Sequence, residues 1–245
     1  MKAMVLAAGL GTRLRPLTDD RPKALVELRG RTLLEITLAR LRSFGIHQVI
    51  INVHHFADLM LAYLEAHNNF GMEIEISREN ILLDTGGGLK KAAYFFRDSD
   101  APFLLHNVDV ISDIDLQRMV EFHRQRGALA TLAVQDRKTS RYLLFDNHMR
   151  LCGRRNDKEG KSEEVRSVHN PQAFAFCGIH IISPRFLEMM HEEGAFSIID
   201  AYLRLASQGE SIVALKADQY YWRDLGKPEN IRQAEEDISH KRILL

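Results

Sequence analysis

Apolar and polar positions follow a regular pattern through the first half of the chain. Short apolar runs, as expected for strands of a buried sheet, occur at residues 4–6, 49–53, 73–76, 103–105 and 129–134. Apolar residues at helical spacing lie between them, and predict helices at 33–44, 57–66, 88–96 and 114–126. Repeated strand–helix units of this kind predict a parallel sheet that is covered by helices on both faces.

The second half of the chain is less regular. Its predicted elements are a hairpin of 142–145 and 149–151, a flexible polar loop at 154–167, strands at 174–182 and 212–215, and helices at 184–191, 197–207 and 228–238. We therefore expect one α/β domain over residues 1–245, with a Rossmann-like, mostly parallel sheet from 1–135. Residues 136–245 are expected to add a small β-rich lobe. The apolar tail 243–245 is expected to fray.

Composition narrows the class of protein. The chain has 245 residues, of which 45% are hydrophobic and 27% charged, and its formal net charge is zero. A balanced charge argues against nucleic acid as a bulk partner. No apolar stretch approaches the ~20 residues of a membrane span, and two cysteines form neither a disulfide framework nor a zinc set. We therefore expect a cytoplasmic protein with reduced thiols, as a monomer or homodimer.

The segment from Leu6 to Lys23, LAAGLGTRLRPLTDDRPK, carries the strongest chemical signal. It follows the first predicted strand. Gly9 and Gly11 allow backbone N–H groups to approach a bulky anion. Arg13 adds positive charge to the same loop, as do a second arginine and the closing lysine. The segment therefore predicts a phosphate-binding turn at the end of a strand.

Two common phosphate loops do not fit this segment. The Walker A pattern requires four variable residues after its first glycine and then Gly-Lys-Ser/Thr, but the four residues after Gly9 end at Arg13 and no Gly-Lys-Ser/Thr follows. The dinucleotide pattern requires a third glycine, where this chain has Leu14. Pro16 and Pro22 also prevent a regular helix through the segment. A nicotinamide-dependent oxidoreductase is therefore disfavoured.

The segment resembles the signature of the sugar-1-phosphate nucleotidyltransferase family, L-x-A-G-x-G-T-R-x-x-P-x-T followed by P-K. The matching residues are Leu6, Ala8, Gly9, Gly11, Thr12, Arg13, Pro16, Thr18, Pro22 and Lys23. The resemblance implies a nucleotide-diphospho-sugar transferase fold, without the left-handed β-helix that longer relatives append. It also implies a nucleotide site formed by Leu6, Ala7, Ala8, Gly9, Gly11, Thr12, Arg13, Lys23, Thr85, Gly86 and Gly87.

Two aspartates are candidates for a metal site. Asp109 follows the apolar run 103–105, and Asp224 lies in the sequence Tyr-Trp-Arg-Asp-Leu-Gly before a predicted helix. A carboxylate at the end of a buried strand requires a partner, and Mg²⁺ prefers oxygen ligands and phosphates. The family has two such aspartates, so the resemblance implies Mg²⁺ on this pair, with Asp109 catalytic beside Arg13 and Lys23. Helix caps or surface ion pairs are the alternative.

Two further stretches concern the substrates. Three consecutive glycines, 86–88, precede a predicted helix, and either approach a flat base or follow a helix cap at Asp84 or Thr85. The resemblance places the sugar beside Asn107, Phe176 and Gly178. His54, His55 and His106 are expected to be structural.

The resemblance implies a reaction in which a nucleoside triphosphate and a sugar 1-phosphate give an NDP-sugar and pyrophosphate. UTP with a hexose or N-acetylmuramate 1-phosphate is the favoured pair. A guanylyltransferase for mannose or heptose 1-phosphate is the alternative. A non-catalytic nucleotide-sugar sensor on the same fold is the alternative of another class.

Overall fold

A computed structural model describes residues 1–243, and Leu244 and Leu245 lie outside the described residues. The strands are β1 (Lys2–Leu6), β2 (Glu27–Leu28), β3 (Arg31–Thr32), β4 (Gln48–Val53), β5 (Glu73–Arg78), β6 (Phe103–Asn107), β7 (Val110–Ser112), β8 (Ala130–Gln135), β9 (Arg141–Phe145), β10 (Leu151–Asn156), β11 (Lys161–Glu164), β12 (Gln172–Ile182), β13 (Ile212–Lys216) and β14 (Trp222–Asp224). The helices are α1 (Leu33–Ser43), α2 (Ala57–Ala66), α3 (Asp84–Lys91), α4 (Leu116–Gln125), α5 (Arg185–Glu188), α6 (Ile198–Ser207) and α7 (Pro228–Ser239).

The main sheet has the strand order β5-β4-β1-β6-β12-β8-β13. The pairs β5–β4, β4–β1, β1–β6 and β8–β13 are parallel, whereas β12 runs antiparallel to both β6 and β8. The sheet is therefore mixed and mostly parallel, as predicted from the alternation of strands and helices. None of the helices in residues 1–243 is both long and apolar enough to cross a membrane.

Alternate side chains of the central strands enter two hydrophobic layers. On β1, Val5 packs in the layer that contains residues of α1, α2 and α4, and Met4 packs in the layer that contains residues of α3 and α6. Both side chains are fully buried. A buried side chain of this size contributes roughly 1.5–3 kcal/mol, so burial on both faces explains why this strand is apolar from Ala3 to Leu6.

Strand β12 belongs to two sheets. Residues 172–174 pair with β9, and residues 179–182 pair with β6. The register changes between Phe176 and His180, and Gly178 in this bulge has a φ of 72°. Glycine adopts this left-handed conformation without steric cost. The N-terminal part of β12 thereby joins β9, β10 and β11 as the β-rich lobe that the sequence predicts.

The predicted loop at 154–167 is wrong, because β10 and β11 form an antiparallel pair there. All four side chains of Lys161–Glu164 are exposed, so this edge strand has no hydrophobic period that could reveal it. Of the tail 243–245 that is expected to fray, Ile243 is buried, and Leu244 and Leu245 lie outside the described residues. The helix predicted at 184–191 is limited to Arg185–Glu188.

Candidate active site

The segment from Leu6 to Lys23, called the phosphate loop below, begins where β1 ends. The Ala7 N–H donates to Asn52 Oδ1 at 2.8 Å, which fixes the first residue of the loop against β4. A methyl group placed on Gly9 would have no atom within 4 Å, so space beside this residue is open to a ligand. Gly11 has a φ of 65°, and its carbonyl accepts from Thr18 Oγ1 at 2.9 Å. These contacts give the loop a defined shape before any ligand arrives.

A third, smaller hydrophobic cluster anchors the loop. Leu14 is fully buried in this cluster against residues that include Val26 and Leu225. Arg13 is exposed, and Lys23 begins a short 3₁₀ turn whose other residues are buried. Burial of the apolar neighbours therefore holds the basic side chains at the surface of the cleft.

A two-stranded ladder brings the two candidate metal ligands together. In the antiparallel pair β7–β14, Asp224 lies opposite Val110, and the Leu225 N–H donates to the Asp109 carbonyl oxygen at 2.7 Å. Two aspartates more than one hundred positions apart in sequence thus become cross-strand neighbours. The ladder explains how their carboxylates face one cleft.

The basic residues of the loop meet these carboxylates. Lys23 Nζ donates a short hydrogen bond to Asp109 Oδ2. A methyl group placed on Gly226 would lie 2.7 Å from Asp224 Oδ1, 2.8 Å from Arg13 Nη2 and 3.4 Å from Lys23 Nζ. The four side chains predicted for catalysis and metal binding therefore converge on one point, and only a glycine fits between them.

Burial and charge shape the electrostatics of the pair. Burial, followed by the Asp109 charge, raises the pKa of Asp224, although the Gly226 N–H, Lys23 and Arg13 oppose the shift. A buried carboxylate beside another carboxylate favours a neighbouring cation. Within residues 1–243 no group of three or more acidic, histidine or cysteine side chains could form a complete metal cage. Two carboxylates suit Mg²⁺, which takes its other ligands from water and phosphate.

Two cavities meet at this point. The first, of about 540 Å³, is lined by Leu6, Ala7, Ala8, Gly9, Lys23, Asn52, Leu82, Asp84, Thr85, Asn107, Val108, Asp109 and Ala195. The second, of about 1190 Å³, has a lining that includes Arg13, Arg137, Asn107, Phe176, Gly178, Trp222 and Asp224. Asn107 lines both cavities. The convergent charged side chains therefore lie at the boundary between two compartments.

The glycines 86–88 do not precede a helix as predicted, because α3 begins at Asp84 and contains them. A methyl group on Gly86 would lie 2.3 Å from the Phe196 ring, and one on Gly87 would lie 2.4 Å from the Gly194 carbonyl oxygen. These glycines allow α3 to pack closely against the segment before α6. Thr85 remains at the first cavity, and its Oγ1 accepts from the Ile198 N–H at 3.0 Å.

Asn52 and Glu79 form a buried connection that the sequence patterns did not identify. Asn52 Nδ2 donates to Glu79 Oε1 at 2.7 Å, and the Leu83 N–H donates to Glu79 Oε2 at 3.0 Å. Together with the Ala7 contact, these bonds join the phosphate loop to the start of α3. A polar residue inside the apolar run 49–53, and a carboxylate directly after β5, are signals that could have found them.

The predicted sugar-side residues also gather in space. A methyl group on Gly178 would lie 2.6 Å from Asn107 Nδ2, so this amide packs directly on the glycine. Trp222 Nε1 donates to the Cys177 carbonyl oxygen at 2.7 Å, which joins β14 to the bulge of β12. Phe176 lies beside them in the lining of the second cavity. Three predicted residues from two strands thus share one wall.

The central histidines are buried as neutral groups. Burial, reinforced by the Arg40 charge, lowers the pKa of His106 to about 3, and burial does the same for His180. His180 Nδ1 is hydrogen-bonded to the Tyr202 hydroxyl at 2.9 Å. His54 Nδ1 is hydrogen-bonded to the Glu79 carbonyl oxygen at 2.8 Å. The buried, neutral ring of His106 agrees with its expected structural role, as does the hydrogen bond of His54 to the backbone.

This fold and this site define an α/β phosphate-binding protein with a paired carboxylate site. The chain belongs to the nucleotidyl transferase family, whose sequence model matches residues 2–241. The N-acetylmuramate alpha-1-phosphate uridylyltransferase of Caulobacter vibrioides is 33% identical over 93% of this chain and 92% of its own length. The family predicted from the phosphate loop is therefore confirmed.

Other relatives are longer. The UTP–glucose-1-phosphate uridylyltransferase of Synechocystis sp. is 30% identical over 99% of this chain, and the mannose-1-phosphate guanyltransferase of Yarrowia lipolytica is 30% identical over 94%. The chain spans 64% and 62% of these two proteins.

Solved structures show the same fold. The structure of a UDP-glucose pyrophosphorylase complexed with UDP-glucose has a TM-score of 0.79 at 17% identity, covering 98% of this chain and 99% of that one. A putative glucose-1-phosphate thymidylyltransferase from Bacillus anthracis has a TM-score of 0.80 at 16% identity, covering 100% and 97%. The predicted nucleotide-diphospho-sugar transferase fold is thus confirmed.

Proposed function

We propose that this protein transfers a nucleotidyl group from a nucleoside triphosphate to a sugar 1-phosphate. An oxygen of the sugar phosphate attacks the α-phosphorus, the bond to the β-phosphate oxygen breaks, and pyrophosphate leaves with that electron pair. The convergence of Arg13, Lys23, Asp109 and Asp224 where two cavities meet is the observation that carries this proposal.

Positive side chains at the boundary would position and stabilise the reacting phosphates. Arg13 would hold the β- and γ-phosphates that leave, and Lys23 would bridge the α-phosphate and the incoming sugar phosphate. The nucleophile is already anionic at neutral pH, so the reaction requires no serine or cysteine nucleophile from the protein. Orientation and charge stabilisation are then the main contributions of the chain.

Asp109 and Asp224 would hold Mg²⁺, which would neutralise phosphate charge when bound. The carboxylate pair is suited to this ion because its own charges repel and its remaining coordination can come from substrate oxygens. The Asn230 side-chain amide donates to the Asp224 carbonyl oxygen at 2.8 Å, and so fixes the backbone that presents one of the carboxylates.

The two cavities divide the substrates between them. The first would take the nucleoside, with Leu6 to Gly9 along the phosphates and Thr85 near the base. Gly86 and Gly87 would contribute by fixing the position of Thr85 through close packing. The second would take the sugar against Asn107, Phe176 and Gly178.

UTP is the first choice of nucleotide, because the Caulobacter and Synechocystis relatives are named as uridylyltransferases. A hexose or N-acetylmuramate 1-phosphate is the corresponding sugar. Guanylyl transfer to mannose or heptose 1-phosphate is the second candidate, favoured by the Yarrowia relative. Both substrates are cytoplasmic metabolites, so we place the protein in the cytoplasm.

A panel of the four nucleoside triphosphates against glucose, mannose and N-acetylmuramate 1-phosphates tests the proposal, with pyrophosphate release as the readout. We expect release that depends on both substrates, is greatest with UTP, and is abolished by chelation of Mg²⁺. Greatest release with GTP would instead support the second candidate. Nucleotide-sugar binding without any release in this panel would make the protein a sensor.

A further inference from the structure

The second cavity carries more positive charge than the proposed reaction requires. Seven of its lining side chains are basic, whereas only Glu159 and Asp224 are acidic. Arg13, together with Lys23 in the neighbouring cavity, already supplies positive charge for the substrate phosphates. The other basic side chains line the same cavity, where a neutral sugar would leave those without an acidic partner uncompensated.

Most of this excess charge has no acidic partner. Among the described residues, Arg223 pairs with Asp237 and Lys227 with Glu229. No carboxylate of residues 1–243 lies within ion-pair distance of the four other basic residues beyond Arg13, namely Arg137, Lys138, Arg141 and Lys158. These four side chains therefore give the cleft a net affinity for anions.

Arg137 differs from the other three because its guanidinium is partly buried and held in place. Its Cζ lies 3.7 Å from the centroid of the Trp222 ring, and its Nη2 donates to the Phe176 carbonyl oxygen at 2.7 Å. Its Nε is buried and has no hydrogen-bond partner within residues 1–243. Burial lowers the pKa of this guanidinium, which shows the cost of holding the charge there. A fixed, desolvated cation of this kind is suited to a carboxylate.

The contacts of Arg137 are with the proposed sugar wall. Phe176 and Trp222, which hold the guanidinium, also line the proposed sugar wall with Asn107 and Gly178. We propose that Arg137 is a specificity-determining residue that binds a carboxylate on the sugar, so that the substrate is an acidic sugar 1-phosphate. This inference rests on the proposed function and deepens it.

The test compares sugars that differ only in the acid. N-acetylmuramate 1-phosphate and N-acetylglucosamine 1-phosphate differ by one lactyl ether, and glucuronate and glucose 1-phosphates differ by one carboxylate. With the triphosphate that supports release, we expect the protein to prefer the acidic member of at least one pair by about 100-fold in kcat/KM. Equal use of both members in both pairs would overturn the inference.

Variants then assign the preference to the side chain. Arg137→Gln should lose most of the preference through a higher KM for the acidic sugar, with kcat largely retained, and Arg137→Lys should retain part of it. Arg126→Gln is the matched control, because this exposed arginine stacks on Phe122 outside the cleft. An equal loss on acidic and neutral sugars in Arg137→Gln would make Arg137 a phosphate contact and overturn the inference.

Calorimetric binding of N-acetylmuramate and N-acetylglucosamine 1-phosphates to the wild type and to Arg137→Gln separates the two proposals. Release with neutral sugars alone would leave the proposed function intact and overturn this inference. If no sugar supports release, the proposed function fails. Tighter binding of the acidic sugar that depends on Arg137 would then still support an acid-binding site, and equal binding would overturn it.

Discussion

The two cavities that meet at the carboxylate pair are lined by different kinds of residues. The lining of the first includes a run of small residues, Ala7, Ala8 and Gly9, whose backbone is held by the buried Asn52. The second, about twice as large, is lined by long charged and aromatic side chains such as Arg137. A backbone wall fixes the shape of a site, whereas a side-chain wall can be altered by a few substitutions. On the proposed assignment of substrates, we therefore expect the nucleotide side to have one fixed geometry and the sugar side to determine selectivity.

The boundary should be the most sensitive part of the molecule. Lys23→Ala and Asp109→Asn should each lower turnover about 10²–10³-fold, since each removes a charge that acts on the reacting phosphates. Pyrophosphate release at saturating substrate measures the loss, and circular dichroism verifies folding. Arg21→Ala is the control on the same loop, because within residues 1–243 this exposed arginine forms an ion pair only with its neighbour Asp20. Near-normal turnover in either variant would place the chemistry elsewhere.

The sugar side should respond next, and selectively. In Gly178→Ala the added methyl would lie 2.6 Å from Asn107 Nδ2, and we expect KM for the sugar 1-phosphate to rise about 10–100-fold. Nucleotide binding, followed by calorimetry, should change little. Gly160→Ala is a close control, because Gly160 also has a positive φ but open space around it. If both substrates weaken equally, the two cavities do not act independently.

The nucleotide side should show a stability effect at its glycines. In Gly86→Ala the methyl would lie 2.3 Å from the Phe196 ring, and overpacking of this kind costs about 1–3 kcal/mol of unfolding free energy. Phe196→Ala in the same chain should relieve the overlap and restore part of this stability in urea titrations. An intact stability with a weakened affinity for the nucleotide would instead support direct contact between Gly86 and the base.

The buried histidines, two in the central sheet and one in α4, should show the most general effect. The pKa values of His106, His123 and His180 are lowered to about 3, 4 and 3, with burial as the first cause. Below about pH 6.5 the unfolded chain binds protons that the folded chain does not. Unfolding free energy should therefore fall with decreasing pH, by about 1.4 kcal/mol per pH unit for each such histidine.

Urea titrations between pH 7 and pH 5 measure this slope. His123→Gln should reduce the slope of unfolding free energy against pH by the contribution of one histidine, about 1.4 kcal/mol per pH unit, because it removes one buried, neutral ring. His148→Gln, at an exposed position, should leave it unchanged. An unchanged slope in His123→Gln would show that this ring is protonated in the folded state.

The same contrast explains what the sequence could predict. Residues whose role depends on backbone shape form a recognisable pattern in the sequence. The phosphate loop and the apolar strands were therefore predicted, together with the family. The segment 154–167 was not, because a solvent-exposed ladder is stabilised by pairing with its neighbour and needs no apolar period. The prediction that Gly86 and Gly87 precede a helix was wrong, because α3 contains them and their close partners, Phe196 and Gly194, are more than one hundred residues away.

Side-chain placement was the other limit of prediction. Asp109 and Asp224 were identified as a pair through the resemblance, but the ladder that joins them is visible only in the fold. Glu79 was missed because its importance comes from bonds to Asn52 and to the Leu83 backbone, which no spacing along the chain encodes. The excess charge near Arg137 is likewise a property of the cleft, since the whole chain is neutral.

The pairing of β7 with β14 also determines when, during synthesis, the two carboxylates come together. Asp109 leaves a ribosome well before Asp224, and the second carboxylate reaches the first only when β14 pairs with β7. Until that pairing forms, the chain presents only one of the two acids at this point of the cleft. The carboxylate pair is therefore completed by β14, the last of the described strands to be synthesised.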